Sequence, residues 1–574
     1  MDRRTWLQLL TALASARPSA AQPPQSRGGQ GRGAQQQQQL RVTREQIQAA
    51  LKLFGLEFED AEIDLMLRNV NRGLGNYENL RKLDVGYGVE PAMVFHPGVS
   101  SRIPGKGPAR FETTFTKVQS HHKAPSDLEE LACLRVSDIA PLIHSRALSS
   151  TDLTKMYLAR LKKYGPKLLS VVTITEDHAL EQAAAADREI KQGHYRGPLH
   201  GIPFGLKDLF DTKGIPTRWG AEPFEDRVPE ADATCVDRLY KAGAVLMAKL
   251  SMGALAMGDQ WSKGQTKSPW PTATSKEKGE YDRGSSGSSA GSASSTAAGL
   301  VGFSLGTETL GSIVSPSTAC GTVGMRPTYG RISRHGAMAL SWTMDKIGPI
   351  CRGVEDCALV LHATHGPDGH DRSVTTDPFH WEPHKPVKSL KVAIMQKLFD
   401  NAQGEQKKLY DQAISDLRNA GVEMTPVEYQ EDMGSIRFLL DAEGAAAFDD
   451  ITRDGQVRKL RMQNEGAWPN QFRSSRLIPA VEYIRAQRAR TLLIEKFEKF
   501  MADWDVIVMP AQALLTTTNL TGNPQVVMKC GFIDGVPRSI GFLGRIYEEG
   551  SPLRVALAYE QATEWHKKTP LLFS

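Results

Sequence analysis

The chain has 574 residues, 40% of them hydrophobic and 24% charged, an ordinary composition for a globular protein and a length that allows more than one structural unit. Its formal net charge of +5 is concentrated at the start, because residues 1–39 hold five Arg and one Asp. The rest of the chain is nearly neutral, which argues against nucleic-acid binding.

The first 21 residues have the pattern of an export signal. Arg3 and Arg4 precede an apolar run that starts at Trp6, and small-residue stretches ending at Ala16 and Ala21 are candidate cleavage sites. The run is too short to cross a bilayer, so we expect no membrane span in the mature protein. The pattern predicts a periplasmic or secreted protein with a twin-arginine-like signal. If the signal is not functional, the protein is cytoplasmic.

The next part of the chain predicts a linker and then a helical arm. Residues 22–39 are rich in Pro, Gly and Gln, a composition typical of disorder. Residues 40–125 are expected to form a helical arm and connector. Thr43 and Gln46 have capping-box spacing before a helix that ends near Gly55, and a second helix is predicted over 60–69.

From Ser126 onward, helical patterns alternate with short apolar strands. Helices are predicted over 136–143, 150–164 and 179–192, and strands over 171–174, 245–248 and 506–509. This alternation predicts an α/β sheet covered by helices. The polar stretch 261–281 is predicted to be a surface loop.

Cysteine and histidine patterns give no case for a metal. The six Cys include no CxxC motif and are best explained as buried small hydrophobes, although a disulfide stays open for an exported protein. The 14 His include no HExxH motif, and the run 365–370 favours a turn because it holds two Gly and a Pro. No Walker A motif is present. We therefore expect no metal and no cofactor.

Three stretches carry the candidate chemistry. Residues 201–208 hold Lys207 between apolar flanks, 284–295 hold seven Ser and three Gly, and 306–316 include Ser312. Taken alone, the Ser/Gly run would predict a flexible linker and Lys207 a solvated side chain. A helix-compatible segment over 294–301 and a buried-looking turn follow at once, which argues against the linker.

In their order and extent these stretches resemble the amidase signature family over about residues 126–570. The resemblance implies a catalytic domain over 126–574, with a central mixed β-sheet covered by helices on both sides. It implies that Ser312 is the nucleophile, that Lys207 is the base, and that Ser288, preceded by a cis peptide bond from Gly287, relays the proton. The substrate-binding residues that it implies, including the oxyanion loop, are Ala256, Ser288, Thr309, Leu310, Gly311 and Ser312.

The chemistry of such a set depends on the protonation state of the lysine. A serine hydroxyl is a weak nucleophile until a base takes its proton. Lysine is a base only when neutral, and its ordinary pKa of about 10.4 must fall by roughly three units for this near pH 7. Burial without a carboxylate partner lowers a lysine pKa by that much. We therefore expect Lys207 to be buried.

Three positions depart from the usual family pattern. Leu310 stands where Gly is usual and would be strained if the loop needed a positive φ there. Glu308 stands where Asp is usual, which changes how the loop is braced. Val314 replaces a usual Arg and removes a charge beside the nucleophile.

The resemblance implies an amidase that hydrolyses a carboxamide C–N bond through an acyl-enzyme on Ser312. Its expected partner is a small-molecule amide, with no nucleic acid and with a homo-oligomer left open. Two other interpretations stay open. One is an amidotransferase component of the A type, like the one that acts on aminoacyl-tRNA, and the other is a catalytically silent binding protein, suggested by Leu310 and Val314.

Overall fold

The computed structural model describes residues 40–83, 93, 111, 123–430 and 434–573. The predicted export signal and linker lie outside these ranges, as does most of the predicted connector up to residue 122. The described residues from Val42 onward form one compact unit.

A single large sheet dominates this unit. Its strands run in the order β1-β3-β2-β6-β8-β7-β12-β13-β11-β9-β10, and a small antiparallel ribbon, β4-β5, stands apart from it. Strand β2 runs parallel to its neighbours β3 and β6, and β9 runs parallel to its neighbours β10 and β11, while the middle of the sheet is antiparallel. The strands are β1 (Val171–Ile174), β2 (Pro203–Lys207), β3 (Val245–Leu250), β4 (Gln260–Trp261), β5 (Gly264–Gln265), β6 (Phe303–Glu308), β7 (Val323–Arg326), β8 (Lys346–Cys351), β9 (Val392–Ile394), β10 (Met424–Pro426), β11 (Val506–Pro510), β12 (Gln525–Ile533) and β13 (Val536–Gly544).

Helices cover both faces of the sheet. Every residue of β2, β3, β6, β7 and β8 is buried. Successive side chains of a strand point to opposite faces, so both faces must be covered. The predicted α/β fold with a central mixed sheet is confirmed.

The α-helices of the described residues surround this sheet and extend from its N-terminal side to the C-terminus. They are α1 (Arg44–Leu53), α2 (Asp60–Lys82), α3 (Val136–His144), α4 (Ser150–Leu168), α5 (Glu176–Lys191), α6 (Thr234–Lys241), α7 (Ala273–Glu277), α8 (Ala290–Ala297), α9 (Val314–Cys320), α10 (Val354–Thr364), α11 (Gln396–Asp400), α12 (Gly404–Asn419), α13 (Phe438–Ala447), α14 (Asp449–Arg453), α15 (Trp468–Ser475), α16 (Ala480–Met501), α17 (Leu515–Thr521) and α18 (Gly550–Ala562).

The first N-terminal helix begins where the sequence predicts, and the second is longer than predicted. The capping box of Thr43 and Gln46 opens α1 as predicted. Helix α2 runs 13 residues beyond the predicted end at 69, as far as Lys82. Its last turns bury Tyr77 and Leu80 in the main core, and this packing holds a segment whose glycines made the sequence signal weak.

The stretch 261–281 is not simply a surface loop. Thr266 and Ser268 are fully buried, and Thr266 O accepts a hydrogen bond from Ser285 N at 2.9 Å. The stretch contributes β4, β5 and α7, and it packs against the Ser-rich segment. Its polar side chains hid this role, because they hydrogen-bond inside the protein instead of facing water.

Two further findings concern the described part of the chain. The six cysteines are free, and all but Cys133 are buried. No helix within the described ranges is long and apolar enough to span a bilayer.

Candidate active site

Lys207 is the last residue of β2, and its side chain is completely buried. Its Nζ donates to three hydroxyls, at 2.8 Å to Ser288 Oγ, 3.2 Å to Ser289 Oγ and 2.8 Å to Thr307 Oγ1. Burial lowers the pKa of Lys207 to about 7, although the carboxylates of Asp345 and Glu308 oppose the shift. The lysine therefore has the environment that a neutral base requires.

Ser288 and Ser289 both contact Lys207, and Ser289 also contacts the nucleophile loop. The peptide bond from Gly287 to Ser288 is cis, in agreement with the resemblance. A Cβ on Gly287 would come within 1.8 Å of the Gly258 carbonyl oxygen, so only glycine fits there. Ser289 N donates to Ser312 O at 3.2 Å, which ties the Ser-rich segment to the nucleophile loop.

Ser289 also bridges the two strands that build the site. Its Oγ donates to Thr307 O at 3.1 Å and accepts from Thr307 N at 3.2 Å. Because Thr307 belongs to β6 and Lys207 ends the neighbouring parallel strand β2, the lysine is held at the carboxyl ends of two adjacent strands. Ligand sites of α/β sheets commonly lie at such ends.

The loop with Ser312 joins β6 to α9, and the carboxylate of Glu308 braces it. Glu308 is fully buried, and burial alone would raise its pKa, but the Arg326 guanidinium, the N–H of Val314 and Lys346 together outweigh this, so the pKa of Glu308 is lowered. The carboxylate is thus an anion that holds the start of α9. It accepts from Ile313 N at 2.8 Å, Val314 N at 2.9 Å, Arg326 Nη1 at 2.8 Å and Asn519 Nδ2 at 2.9 Å.

The departures from the family pattern fit this arrangement. In the loop, Gly311 has the positive φ, at 95°, and Leu310 lies outside the left-handed region, so the leucine is not strained in the way the sequence suggested. Val314 is fully buried and packs against Ala511 and Val527. The buried cation beside the loop is Arg326.

A cavity of about 250 Å³ borders Thr307, which is a hydrogen-bond partner of Lys207. Thr307 and Thr309 line it, so it borders both the lysine site and the nucleophile loop. Ala256 also lines it, with φ at 65° in a turn whose Leu255 O accepts from Trp468 Nε1 at 2.8 Å. The implied substrate-binding residues that lie outside the lining are Ser288, Leu310, Gly311 and Ser312.

Sequence reasoning missed several groups that hold the site. Ser289 and Thr307 lie inside the motifs, where their Ser and Thr identity is the only signal. Asn519 contacts Glu308 across 211 residues of chain, and no local pattern could have indicated it. Asp345 accepts a hydrogen bond from Thr309 Oγ1 at 2.6 Å and so fixes the first residue of the loop.

Metal binding finds no candidate in the part of the chain that the structure describes. No group of three or more His, Cys, Asp or Glu side chains there is arranged to hold an ion. His335 and His370 stack on each other at the rim of the cavity, with ring centroids 4.3 Å apart.

Comparison with known proteins places these features in a family context. The sequence profile of the family described as Amidase matches residues 152–531. The chain is 32% identical over 495 residues to the A-type component of the glutamyl-tRNA(Gln) amidotransferase of Moorella thermoacetica, an alignment that covers 77% of this chain and 99% of the relative.

Solved structures share the fold. The peptide amidase from Stenotrophomonas maltophilia superimposes with a TM-score of 0.67 at 28% identity, over 77% of this chain and 99% of that one. An amidase family protein from Bacillus anthracis gives a TM-score of 0.68 at 25% identity, over 77% of this chain and 93% of that one.

Proposed function

The chain belongs to the amidase family of C–N hydrolases, and from that premise we propose that it hydrolyses a carboxamide through an acyl-enzyme on Ser312. The observation that carries the proposal is Lys207, a fully buried lysine whose hydrogen-bond partners are hydroxyls. A lysine buried among hydroxyls is poised to exchange protons with them.

The proposed reaction starts with attack of Ser312 Oγ on the amide carbonyl carbon. The proton of Ser312 passes to Ser288, whose own proton passes to neutral Lys207. The hydrogen bond between Lys207 and Ser288, at 2.8 Å, supports the second transfer. The oxyanion is stabilised by backbone N–H groups of Thr309, Leu310, Gly311 and Ser312.

Collapse of this intermediate breaks the C–N bond. The leaving amine takes the proton held by the relay, and an ester of Ser312 remains. Water then attacks the ester and gives one proton to the same relay. Collapse of this second intermediate breaks the ester bond, releases the carboxylic acid and returns that proton to Ser312 Oγ. Glu308 keeps the loop in place throughout, because it holds the first N–H groups of α9.

Labelling with a serine-directed phosphonofluoridate tests the nucleophile. The wild-type protein is expected to form one adduct, located on Ser312 by peptide mass spectrometry, and Ser312→Ala is expected to form none. Ser415→Ala, a change of an exposed serine on α12, is the control that keeps the adduct. Absence of labelling in the wild type would favour a catalytically silent binding protein, and an adduct elsewhere would reject Ser312.

An amidotransferase component is the second candidate. It is favoured by the similarity to the A-type components of glutamyl-tRNA(Gln) amidotransferases, which are 30–32% identical and align over 97–100% of their own length. Purification of the tagged protein from its native host distinguishes the two. Stoichiometric partner proteins would favour the amidotransferase, and a free chain that releases ammonia from an amide would favour the amidase.

Export remains a separate proposal, because the family match begins only at residue 152. It rests on Arg3, Arg4 and the apolar run that follows them. N-terminal sequencing of protein from the native host is expected to find a start just after Ala16 or Ala21. A cytoplasmic protein that still begins at Met1 would reject it.

A further inference from the structure

The cavity that borders Thr307 and Thr309 has walls that are about half apolar and half polar. Leu209, Met338, Leu340, Trp342 and Ile347 line it together with several alanines. Because the cavity also borders Thr309 in the nucleophile loop, it is the candidate space for one end of a bound amide. The charged side chains around it therefore decide which substrates it accepts.

Arg334 and Asp371, the first charged pair in the lining, neutralise each other. Arg334 Nε and Nη2 donate to the two oxygens of Asp371 at 2.9 and 3.2 Å. Burial alone would raise the pKa of Asp371, but the hydrogen bonds from Arg334 lower it to about 2. Arg334 Nη1 donates to Trp342 O at 2.6 Å, so this guanidinium is engaged on both sides.

Asp345 and Lys346, the second pair of charged residues, are also engaged within the protein. Asp345 accepts from Thr309 Oγ1 at 2.6 Å and from Leu340 N and Ser341 N at 2.8 and 3.0 Å, which occupies both of its oxygens. Lys346 Nζ donates to a backbone carbonyl, and burial together with Arg326 places its pKa well below the ordinary lysine value. Neither of these groups offers a free charge to a ligand, and the two imidazoles in the lining, His335 and His370, stack on each other.

We infer that one end of a bound amide extends into this cavity, that the cavity takes an uncharged acyl group, aliphatic or aromatic, and that it excludes free amino acids with a side-chain amide, such as glutamine. This inference rests on the proposed function. A free amino acid carries an ammonium and a carboxylate, and each loses its hydration when it is bound. Without unpaired partners of opposite charge, that loss is not compensated.

Trp342 is the residue that we expect to select aromatic acyl groups. Its side chain lines the cavity yet is 50% exposed. Its backbone is fixed, because Trp342 O accepts from Tyr329 OH at 2.7 Å as well as from Arg334. A partly exposed indole on a fixed backbone offers a face on which an aryl group packs.

Ammonia release from five amides tests the inference on the full-length protein. The neutral amides are benzamide, phenylacetamide and hexanamide, and the zwitterionic ones are L-glutamine and L-asparagine. We expect kcat/KM for the best neutral amide to exceed that for L-glutamine at least a hundredfold. A kcat/KM for L-glutamine that equals or exceeds the neutral values overturns the inference.

Absence of ammonia from all five amides also overturns it. Phosphonofluoridate labelling of the same preparation then tells whether the proposed function fails as well. Labelling of Ser312 would support it as the nucleophile and reject only the assignment of the acyl group. Absence of labelling would reject both the nucleophile and the acyl group.

A variant at Trp342 tests the specificity assignment separately. Trp342→Ala is expected to raise KM for phenylacetamide roughly fivefold, to leave kcat within twofold, and to change KM for hexanamide less. Phe54→Ala is the control, because Phe54 is an aromatic residue 57% exposed at the end of α1 and absent from the cavity lining. Equal KM values for phenylacetamide in the wild type and Trp342→Ala would overturn the role of Trp342.

Discussion

Two completely buried lysines lie in neighbouring parallel strands, and their partners differ. Lys207 ends β2 and donates to three hydroxyls. Lys249, in β3, donates to Phe210 O at 2.7 Å and Thr217 Oγ1 at 2.6 Å, and lies 3.7 Å from the carboxylate of Asp208. The partners of Lys207 are thus all hydroxyls, whereas Lys249 also lies beside a buried carboxylate, and burial raises the pKa of that carboxylate, Asp208, to about 6.

Burial lowers the pKa of both lysines, so a shifted pKa alone does not identify the base. The pKa of Lys207 falls to about 7 and that of Lys249 to about 8, where the attraction of Asp208 opposes the effect of burial. The chemistry of the partners separates the two roles. Hydroxyls next to a nucleophile form a proton relay, whereas a buried carboxylate and lysine form a structural ion pair.

The largest expected effect is on catalysis. Lys207→Met is expected to lower kcat/KM for amide hydrolysis by about 10³-fold, because Ser312 loses its base. Lys249→Met is expected to retain activity per folded molecule within about tenfold, because this lysine does not contact the relay. Initial rates, normalised to the folded fraction from circular dichroism, give the comparison. Equal losses of kcat/KM in the two variants would contradict the assignment of Lys207, and not Lys249, as the base.

For stability, the larger effect is expected from the change at Lys249. Lys249→Met leaves the Asp208 carboxylate buried without its cation, a change that costs about 3 kcal/mol or more. Lys207→Met removes three hydrogen bonds to hydroxyls but leaves no unpaired charge, so its free energy of unfolding is expected to fall by less than that of Lys249→Met. Urea unfolding at pH 7 measures both. A larger loss for Lys207→Met than for Lys249→Met would contradict the assignment of the ion pair.

Glu308 offers a smaller test that leaves both lysines in place. Glu308→Asp shortens the side chain by one methylene, so the carboxylate cannot reach both the start of α9 and Arg326. We expect kcat to fall about tenfold, from a loosened nucleophile loop, with KM little changed. Steady-state kinetics decide this. Unchanged kcat would show that the loop holds its shape without the brace.

The sequence predicted the parts of the fold and site that have local signals. The capping box at Thr43 predicts helix α1, and the resemblance of three stretches to the amidase signature family points to Lys207, Ser288 and Ser312. The end of α2 was missed, because Tyr77 and Leu80 stabilise it through contacts with distant segments.

The features that the sequence does not predict depend on contacts between distant parts of the chain. Glu308 could be suspected of bracing the loop, but its partners Arg326 and Asn519 come from β7 and α17. The difference between Lys207 and Lys249 is of the same kind, because each strand reads as a short apolar run with one lysine. Only the packed structure supplies the hydroxyls of one and the carboxylate of the other.

The pH dependence of phosphonofluoridate labelling tests the central claim most directly, because this reaction requires an activated Ser312 and no knowledge of the substrate. Lys207 accepts a proton only when neutral, so the labelling rate of the wild type is expected to rise with pH, with an apparent pKa of about 7, and to level off above about pH 8. In Lys207→Met the rise with pH and most of the labelling rate are expected to be lost, whereas Lys249→Met should keep the rise. A wild-type rate that does not change between pH 5.5 and 9, or the same rise in Lys207→Met, would contradict Lys207 as the base.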